Sequence, residues 1–287
     1  MPEVALVTGA SAGIGLYTAL GLARTGRRVI LVGRNRDRIE RARRFVTERA
    51  PAARVDTALA DFASLDNVRR LAETILAEQD RLDLLVNNAG LISPRFRRSE
   101  DGIELTLAVN HLAPFLLTNL LLDRLKESAP ARIVTVASQA HRGAHLPAQL
   151  AGIAAAGPAR PPEWSPLAAY GQSKLCNVLF TRALARRLAA REVVAACLHP
   201  GVVATGIGNR AGGFAALGWR LVKPFLIGPE KGAETSLFLA TVADAAPFHG
   251  AYVIGRAAVQ PDRAARDDAR GERLWSESAR LVGLAER

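Results

Sequence analysis

Val4-Ala5-Leu6-Val7-Thr8-Gly9-Ala10-Ser11-Ala12-Gly13-Ile14-Gly15 decides the fold. The apolar run Val4–Thr8 is too short for a buried helix and ends on a glycine. Helical spacing then begins, with Ile14, Ala19, Leu22 and Ala23 on one face. The stretch therefore reads as strand, glycine turn, helix. Gly9 makes the tight turn, Gly13 removes a Cβ where a pyrophosphate would approach, and Gly15 lets helix and strand pack closely. Ser11, Ala12 and Ile14 complete the turn. The helix N-terminus beyond it offers unpaired N–H groups and a positive dipole end to an anion. A glycine turn without a ligand is the bland alternative, but its place directly after the first strand favours a phosphate site.

Outward from this unit the pattern repeats. Short apolar strands are expected at 29–32, near 54–59, at 82–87, 133–137 and 193–198. Helical patterns lie between them at 14–26, 35–50, 64–79, 103–127 and 170–190. Such alternation predicts an α/β fold: a single doubly wound Rossmann-type domain spanning 1–287, with a parallel sheet and helices on both faces. Two stretches break the rhythm and read as long loops. Residues 141–168 are rich in Ala, Pro and Gly. Residues 206–229 form an apolar candidate substrate lid with Phe214, Leu217, Trp219 and Phe225. The lid residues either close over a greasy substrate or pack against the core or a partner subunit. Arg220 and Lys223 beside them also admit contact with a membrane surface.

Composition excludes several classes. Hydrophobic residues are 49% of 287, so disorder is excluded for most of the chain. Two cysteines, Cys176 and Cys197, cannot make a disulfide scaffold and read as reduced packing thiols. The net charge of +11 comes from arginines scattered over helix faces without interleaved aromatics, so a nucleic-acid partner is not expected. No apolar run was expected to reach the length of a transmembrane segment, and the chain enters its first strand at once. A soluble, cytoplasmic protein is the expectation. His111, His141 and His145 have no carboxylate or thiol at ligand spacing, so no metal site is expected.

The end of the second strand reads Gly33-Arg34-Asn35-Arg36. A carboxylate there would hold the 2′-hydroxyl of NAD, whereas an arginine forks onto a 2′-phosphate, so NADP is favoured. Further on, Tyr170 and Lys174 stand four apart, on one face of a helix. A lysine ammonium near a phenol favours phenolate, which turns tyrosine into a working acid/base. Ser138 follows the strand at 133–137, and Asn87-Asn88-Ala89-Gly90 follows the strand at 82–86. Both positions lie beyond strand carboxyl ends, where doubly wound sheets bind ligands.

These pieces, in this order, resemble the short-chain dehydrogenase/reductases. Thr8–Gly15, Asn87–Gly90, Ser138, Tyr170–Lys174 and Pro200-Gly201 carry the resemblance. Asn110-His111-Leu112-Ala113-Pro114-Phe115, His199-Pro200-Gly201, Gly228-Pro229-Glu230-Lys231-Gly232 and Leu274-Trp275 resemble the retinol-dehydrogenase-like branch. The resemblance spans nearly all of 4–284. It implies that Tyr170 moves the proton at the substrate oxygen and that Ser138 polarises that oxygen. Lys174 lowers the Tyr170 pKa and binds the nicotinamide ribose, and Asn110 supports a water in a proton relay. It also implies cofactor contacts from Asp61 with Phe62 beside it, from Asn88, Ala89 and Gly90, and from Pro200, Gly201, Val203 and Thr205. Ala137 stands where several members of the branch have a second serine, and the N-terminal anchor of the membrane-bound members is missing, which fits a soluble relative.

The expected activity is NADP-dependent interconversion of a carbonyl and an alcohol on an apolar small molecule. A non-catalytic NADP-binding sensor and reduction of an activated carbon–carbon double bond stay open as alternatives. Apolar stripes on the helices at 103–127 and 170–190 either form a homo-oligomer face or are used against the sheet. Pro114, four residues after Asn110, removes an N–H from the helix. A kink and an ordered water on the Asn110 carbonyl are expected there.

Overall fold

In the computed structural model, residues 2–146, 164–201 and 227–285 are described. Eight strands form one sheet in the order β3-β2-β1-β4-β5-β6-β7-β8. They are β1 Val4–Thr8, β2 Arg28–Gly33, β3 Val55–Leu59, β4 Leu84–Asn87, β5 Ala131–Val136, β6 Val193–His199, β7 Tyr252–Ile254 and β8 Ala257–Val259. The first seven run parallel. The central strands are buried along their whole length, and largely apolar, because both faces are covered. One face carries α1 Gly13–Arg24, α2 Arg36–Arg49 and α6 Pro229–Thr241. The other carries α3 Leu65–Glu78, α4 Leu105–Glu127, α5 Pro166–Arg186 and α7 Asp268–Leu281. Strand order reverses between β1 and β4, which opens a crevice at their carboxyl ends.

The wholly parallel sheet expected above needs correction at its edge. β8 pairs antiparallel with β7. The two strands are joined by Gly255-Arg256, with Gly255 at φ +63°, a tight hairpin that only glycine enters without strain. Strands of three residues are too short to show a period, and α6 and α7 were likewise not expected.

Helix α4 also departs from the expectation. Leu105–Glu127 is long and apolar enough, by length and composition, to cross a membrane, and 78% of that apolar stretch is buried inside the domain. Its middle, Ala108–Leu112, is a π turn in which the Ala113 N–H reaches the Ala108 carbonyl. The break near Pro114 thus takes the form of a shifted hydrogen-bond register just upstream of the proline. The apolar faces of α4 and α5 do not stand open. Trp275 of α7 lies 5.0 Å from the Phe115 ring and 5.8 Å from the Phe180 ring, and the Arg187 guanidinium covers the indole at 4.1 Å.

His111, in the π turn, is fully buried against Phe115 and Phe180, with Nε2 2.9 Å from the Ser278 hydroxyl. Burial pulls its imidazole down to about 4. A folded-state pKa below the unfolded value of about 6.5 gives stability that is complete above pH 6.5 and lost as pH falls toward 4. Between pH 7.5 and pH 5 this one group costs the fold about 2 kcal/mol. Urea unfolding at the two pH values should show that loss reduced by a similar amount in His111→Gln. An unchanged difference would mean that His111 is not buried in its neutral form.

Candidate active site

At the reversal point, β1 ends in Thr8. Its hydroxyl donates to the Val86 carbonyl at 3.2 Å and accepts from the N–H groups of Asn88 and Ala89, each at 3.0 Å. The Asn88 amide donates back to the Thr8 carbonyl at 2.8 Å. The glycine turn is thereby stitched to the Asn88–Gly90 loop. Gly9 has φ +66°, and a Cβ there would stand 2.8 Å from the Ala89 Cα. A Cβ on Gly15 would stand 2.6 Å from the Gly9 carbonyl oxygen. Gly13, at φ +61°, is needed for its backbone conformation.

Beyond this turn, α1 begins at Ala12 with no side-chain cap and no acidic residue in its first turn. By contrast, α2, α3, α5 and α7 are capped by the side chains of Asn35, Ser64, Ser165 and Asp267. Free N–H groups at one uncapped helix end, set behind a glycine turn, fit a dinucleotide pyrophosphate. At the end of β2, Arg34 is half exposed and lies 3.8 Å from the Asp61 carboxylate. Ser11 borders the same corner, its Cβ 3.5 Å from where a Gly33 Cβ would sit. Phe62 is buried in the core, so only its backbone faces this edge.

The second half of the site lies at the carboxyl end of β5. Lys174 is buried, and its Nζ donates to the Val136 carbonyl at 2.8 Å. The same Nζ stands 5.5 Å from the centre of the Tyr170 ring. Burial alone pulls Lys174 down to about 8. Burial pushes the Tyr170 phenol up, and a hydrogen bond from the Ser138 hydroxyl opposes that rise. Asn110 is fully buried. Its Oδ1 accepts from the Leu91 N–H at 2.8 Å, while Nδ2 donates to the Leu91 carbonyl at 2.9 Å and the Ser173 hydroxyl at 3.0 Å. Ser173 in turn donates to the Tyr170 carbonyl at 2.7 Å. Ser138, Tyr170, Lys174 and Asn110 thus converge on one crevice, beside Gly90.

A short chain dehydrogenase family model matches residues 3–149. Human retinol dehydrogenase 13 is 40% identical, over 98% of this chain and 85% of its own length. The chain belongs to the short-chain dehydrogenases. Within them it falls in the retinol-dehydrogenase-like branch and is a nicotinamide-dependent oxidoreductase of alcohol and carbonyl groups. Among solved structures, an uncharacterized protein from Mycobacterium Paratuberculosis superposes with a TM-score of 0.77 at 32% identity, covering 99% of this chain and 96% of that one. A protein described as an NAD(P) dependent gluconate 5-dehydrogenase from Beutenbergia cavernae, solved with bound NADP, gives 0.67 at 30% identity, covering 88% and 94%.

In this short-chain dehydrogenase the structure gathers Gly9, Ser11, Ala12, Gly13, Ile14, Gly15, Arg34, Asp61, Asn88, Ala89 and Gly90 along one edge. Pro200 and Gly201 follow β6 at the same end of the sheet. Val203 and Thr205, most of the 141–168 loop and all but the end of the 206–229 lid lie outside the described residues. Among the described residues no group of three metal-type side chains gathers. Sequence reasoning passed over the hydroxyls of Thr8 and Ser173 and the rings of His141 and His199. A threonine closing β1 and a serine beside Lys174 were visible. What they bond to depends on residues about 80 and 60 positions away.

Thr8→Val keeps the side chain's shape but strands the N–H groups of Asn88 and Ala89, at a cost of about 2–4 kcal/mol. A lowered unfolding midpoint with weaker dinucleotide binding is expected from thermal melts with and without cofactor. Equal stability would remove this hydroxyl from its bridging role.

Proposed function

We propose that this enzyme uses NADP to interconvert an apolar aldehyde or ketone with its alcohol. The observation that carries this reading is the convergence of Tyr170, Ser138 and Lys174 at the end of β5, with Arg34 at the end of β2. A bound nicotinamide dinucleotide supplies or takes up the hydride. The protein's work is to orient it and to manage one proton.

In the reducing direction, the Ser138 hydroxyl donates to the substrate oxygen and polarises the carbonyl. The Tyr170 phenol gives its proton to that oxygen as the alcohol forms. The resulting phenolate is stabilised by the Lys174 ammonium. Both Nδ2 hydrogens of Asn110 are already bonded. Any proton-relay water supported by this residue therefore sits on its main-chain carbonyl, inside the π turn. Arg34 forms the fork for a 2′-phosphate, with no carboxylate at the strand end to favour NAD. Asp61, backed by Phe62, faces the adenine side. By the family pattern, Val203 and Thr205 serve the nicotinamide.

An apolar substrate is supported by Leu167, which stands one turn before Tyr170 on α5 and is 75% exposed. The relatives' name, retinol dehydrogenase, points the same way. The thiols of Cys176 and Cys197 are pushed up by burial, and such inert cysteines suit the cytoplasm.

The test is turnover of decanal, all-trans-retinal and apolar ketones, followed separately with NADPH and NADH. NADPH oxidation should exceed NADH oxidation and fall at least about 100-fold in Tyr170→Phe. Arg34→Ala should raise the KM for NADPH about 10- to 100-fold and leave that for NADH nearly unchanged. Cofactor binding without any turnover would point to a sensor. Equal use of both cofactors would overturn the role of Arg34.

A further inference from the structure

Ser138 opens a tight turn whose other end is His141. That imidazole is fully buried and has two partners. Nδ1 lies 2.6 Å from the Ser138 carbonyl, and Nε2 lies 3.1 Å from the Asp262 N–H. A carbonyl can only accept and a backbone N–H can only donate. Both contacts hold together in one form alone, the neutral ring with its proton on Nδ1. The ring also stands edge-on to Tyr252 of β7 at 4.8 Å. Next to it, the Gln139 N–H points at Nδ1 of His199, at 3.4 Å from the end of β6. Across the turn, Gly171 lets α5 come so close that a Cβ would stand 2.8 Å from the Ala140 carbonyl. The turn is clamped from three sides, by β6 and β7, by the segment at Asp262 and by α5.

We propose that His141 is a positioning residue for Ser138. Its neutral ring ties the Ser138 carbonyl to the Asp262 backbone and so fixes where the Ser138 hydroxyl stands relative to Tyr170. This rests on the reading of Ser138 given above and adds to it a residue that never touches substrate.

The arrangement has a direction in pH. A protonated ring would turn a second N–H toward the Asp262 N–H and lose that contact. The charged and titratable groups facing His141 are Arg142 on its own turn, His199 on β6, Tyr252 on β7, Asp262 on the C-terminal segment, and Tyr170 on α5 through Ser138. Burial chiefly holds the ring neutral and Arg142 adds to it, while the hydrogen bond to the Ser138 carbonyl and, more weakly, Asp262 favour the protonated form. Turnover should therefore fall on the acid side as this ring takes its proton.

The experiment is steady-state reduction of decanal with NADPH from pH 5 to 8, with NADPH affinity measured separately by fluorescence titration. The variants are His141→Phe, which keeps ring volume without hydrogen bonds, and His141→Asn, whose amide N–H stands near Nδ1. Ser138→Ala and the His141→Phe, Ser138→Ala pair complete the set. His141→Phe should lower kcat about 10- to 100-fold, with NADPH affinity within about threefold and the acid limb lost. His141→Asn should recover part of that kcat. On the Ser138→Ala background, His141→Phe should change kcat by less than about threefold.

Should His141→Phe fail to fold, Asp262→Pro replaces it. Asp262 has φ −54°, which suits proline, and the change removes the N–H that faces Nε2 together with the carboxylate that accepts from the Ala264 and Gly143 N–H groups. It should lower kcat and move the acid limb. Full kcat in His141→Phe, an undiminished effect on top of Ser138→Ala, or an unmoved acid limb in Asp262→Pro would overturn the proposal. If Ser138→Ala turns over like the wild type, the reading of the site fails and takes this inference with it. If Ser138→Ala is inactive while His141→Phe is not, only this inference fails.

Discussion

Lys174 is a cation held out of water with one backbone carbonyl, that of Val136, as its hydrogen-bond partner at 2.8 Å. An ammonium in such a place is costly unless polar groups gather round it. Burial already draws its pKa down to about 8. Anything negative or hydroxyl-bearing that arrives beside Nζ is therefore favoured more than it would be at the surface. The rest of the carboxyl edge is arranged around that demand. Gly90 lets its loop pass within reach, since a Cβ there would stand 3.7 Å from Nζ. Tyr170, one helical turn earlier, shares its face. The same burial raises the phenol's pKa, and the Ser138 hydrogen bond opposes that rise.

A buried cation of this kind works only if it cannot wander. Its helix is held on the cofactor side by a closed polar circuit, in which Asn110 bonds both backbone groups of Leu91 and the Ser173 hydroxyl, and Ser173 bonds the Tyr170 carbonyl. Every member of the circuit is satisfied, and such networks specify one arrangement. The π turn of α4 carries Asn110 and leaves its side chain entirely occupied in structure.

The front half of this architecture was legible because its signals are local. A strand of five residues, a glycine turn and a helix announce themselves within twelve positions, and Tyr170 with Lys174 announces a face. The strand ends placed Ser138 and Asn88 correctly, because doubly wound sheets offer ligands only that edge. The unread parts depend on partners distant in sequence. The Thr8 hydroxyl looks like a strand terminus until β4 is laid beside β1. His141 looks like a loop histidine until Asp262 arrives from 121 residues away. The hairpin β7–β8 was missed for another reason: three residues per strand carry no period, and only Gly255 marks the turn.

The far end of α5 shows why α7 matters to a site it does not touch. Arg186 bonds Asp268 at 2.7 Å and Glu272 at 2.8 Å, and Arg187 bonds Glu272 at 2.5 Å. These pairs are partly exposed, so each is weak on its own. The two arginines hold Glu272 down to about 2, and the guanidinium of Arg187 also covers Trp275, so the charges and the aromatic packing share one junction. That junction fixes the last turn of α5, while Ser165 caps its first. A 21-residue helix anchored at both ends moves as a rod. Tyr170 and Lys174 lie in its first turns and inherit their positions from contacts some four turns away. The apolar faces of α4 and α5 are therefore not spare surface. They are the seat of α7, and covering them is part of holding Tyr170 and Lys174 in register with the end of β5.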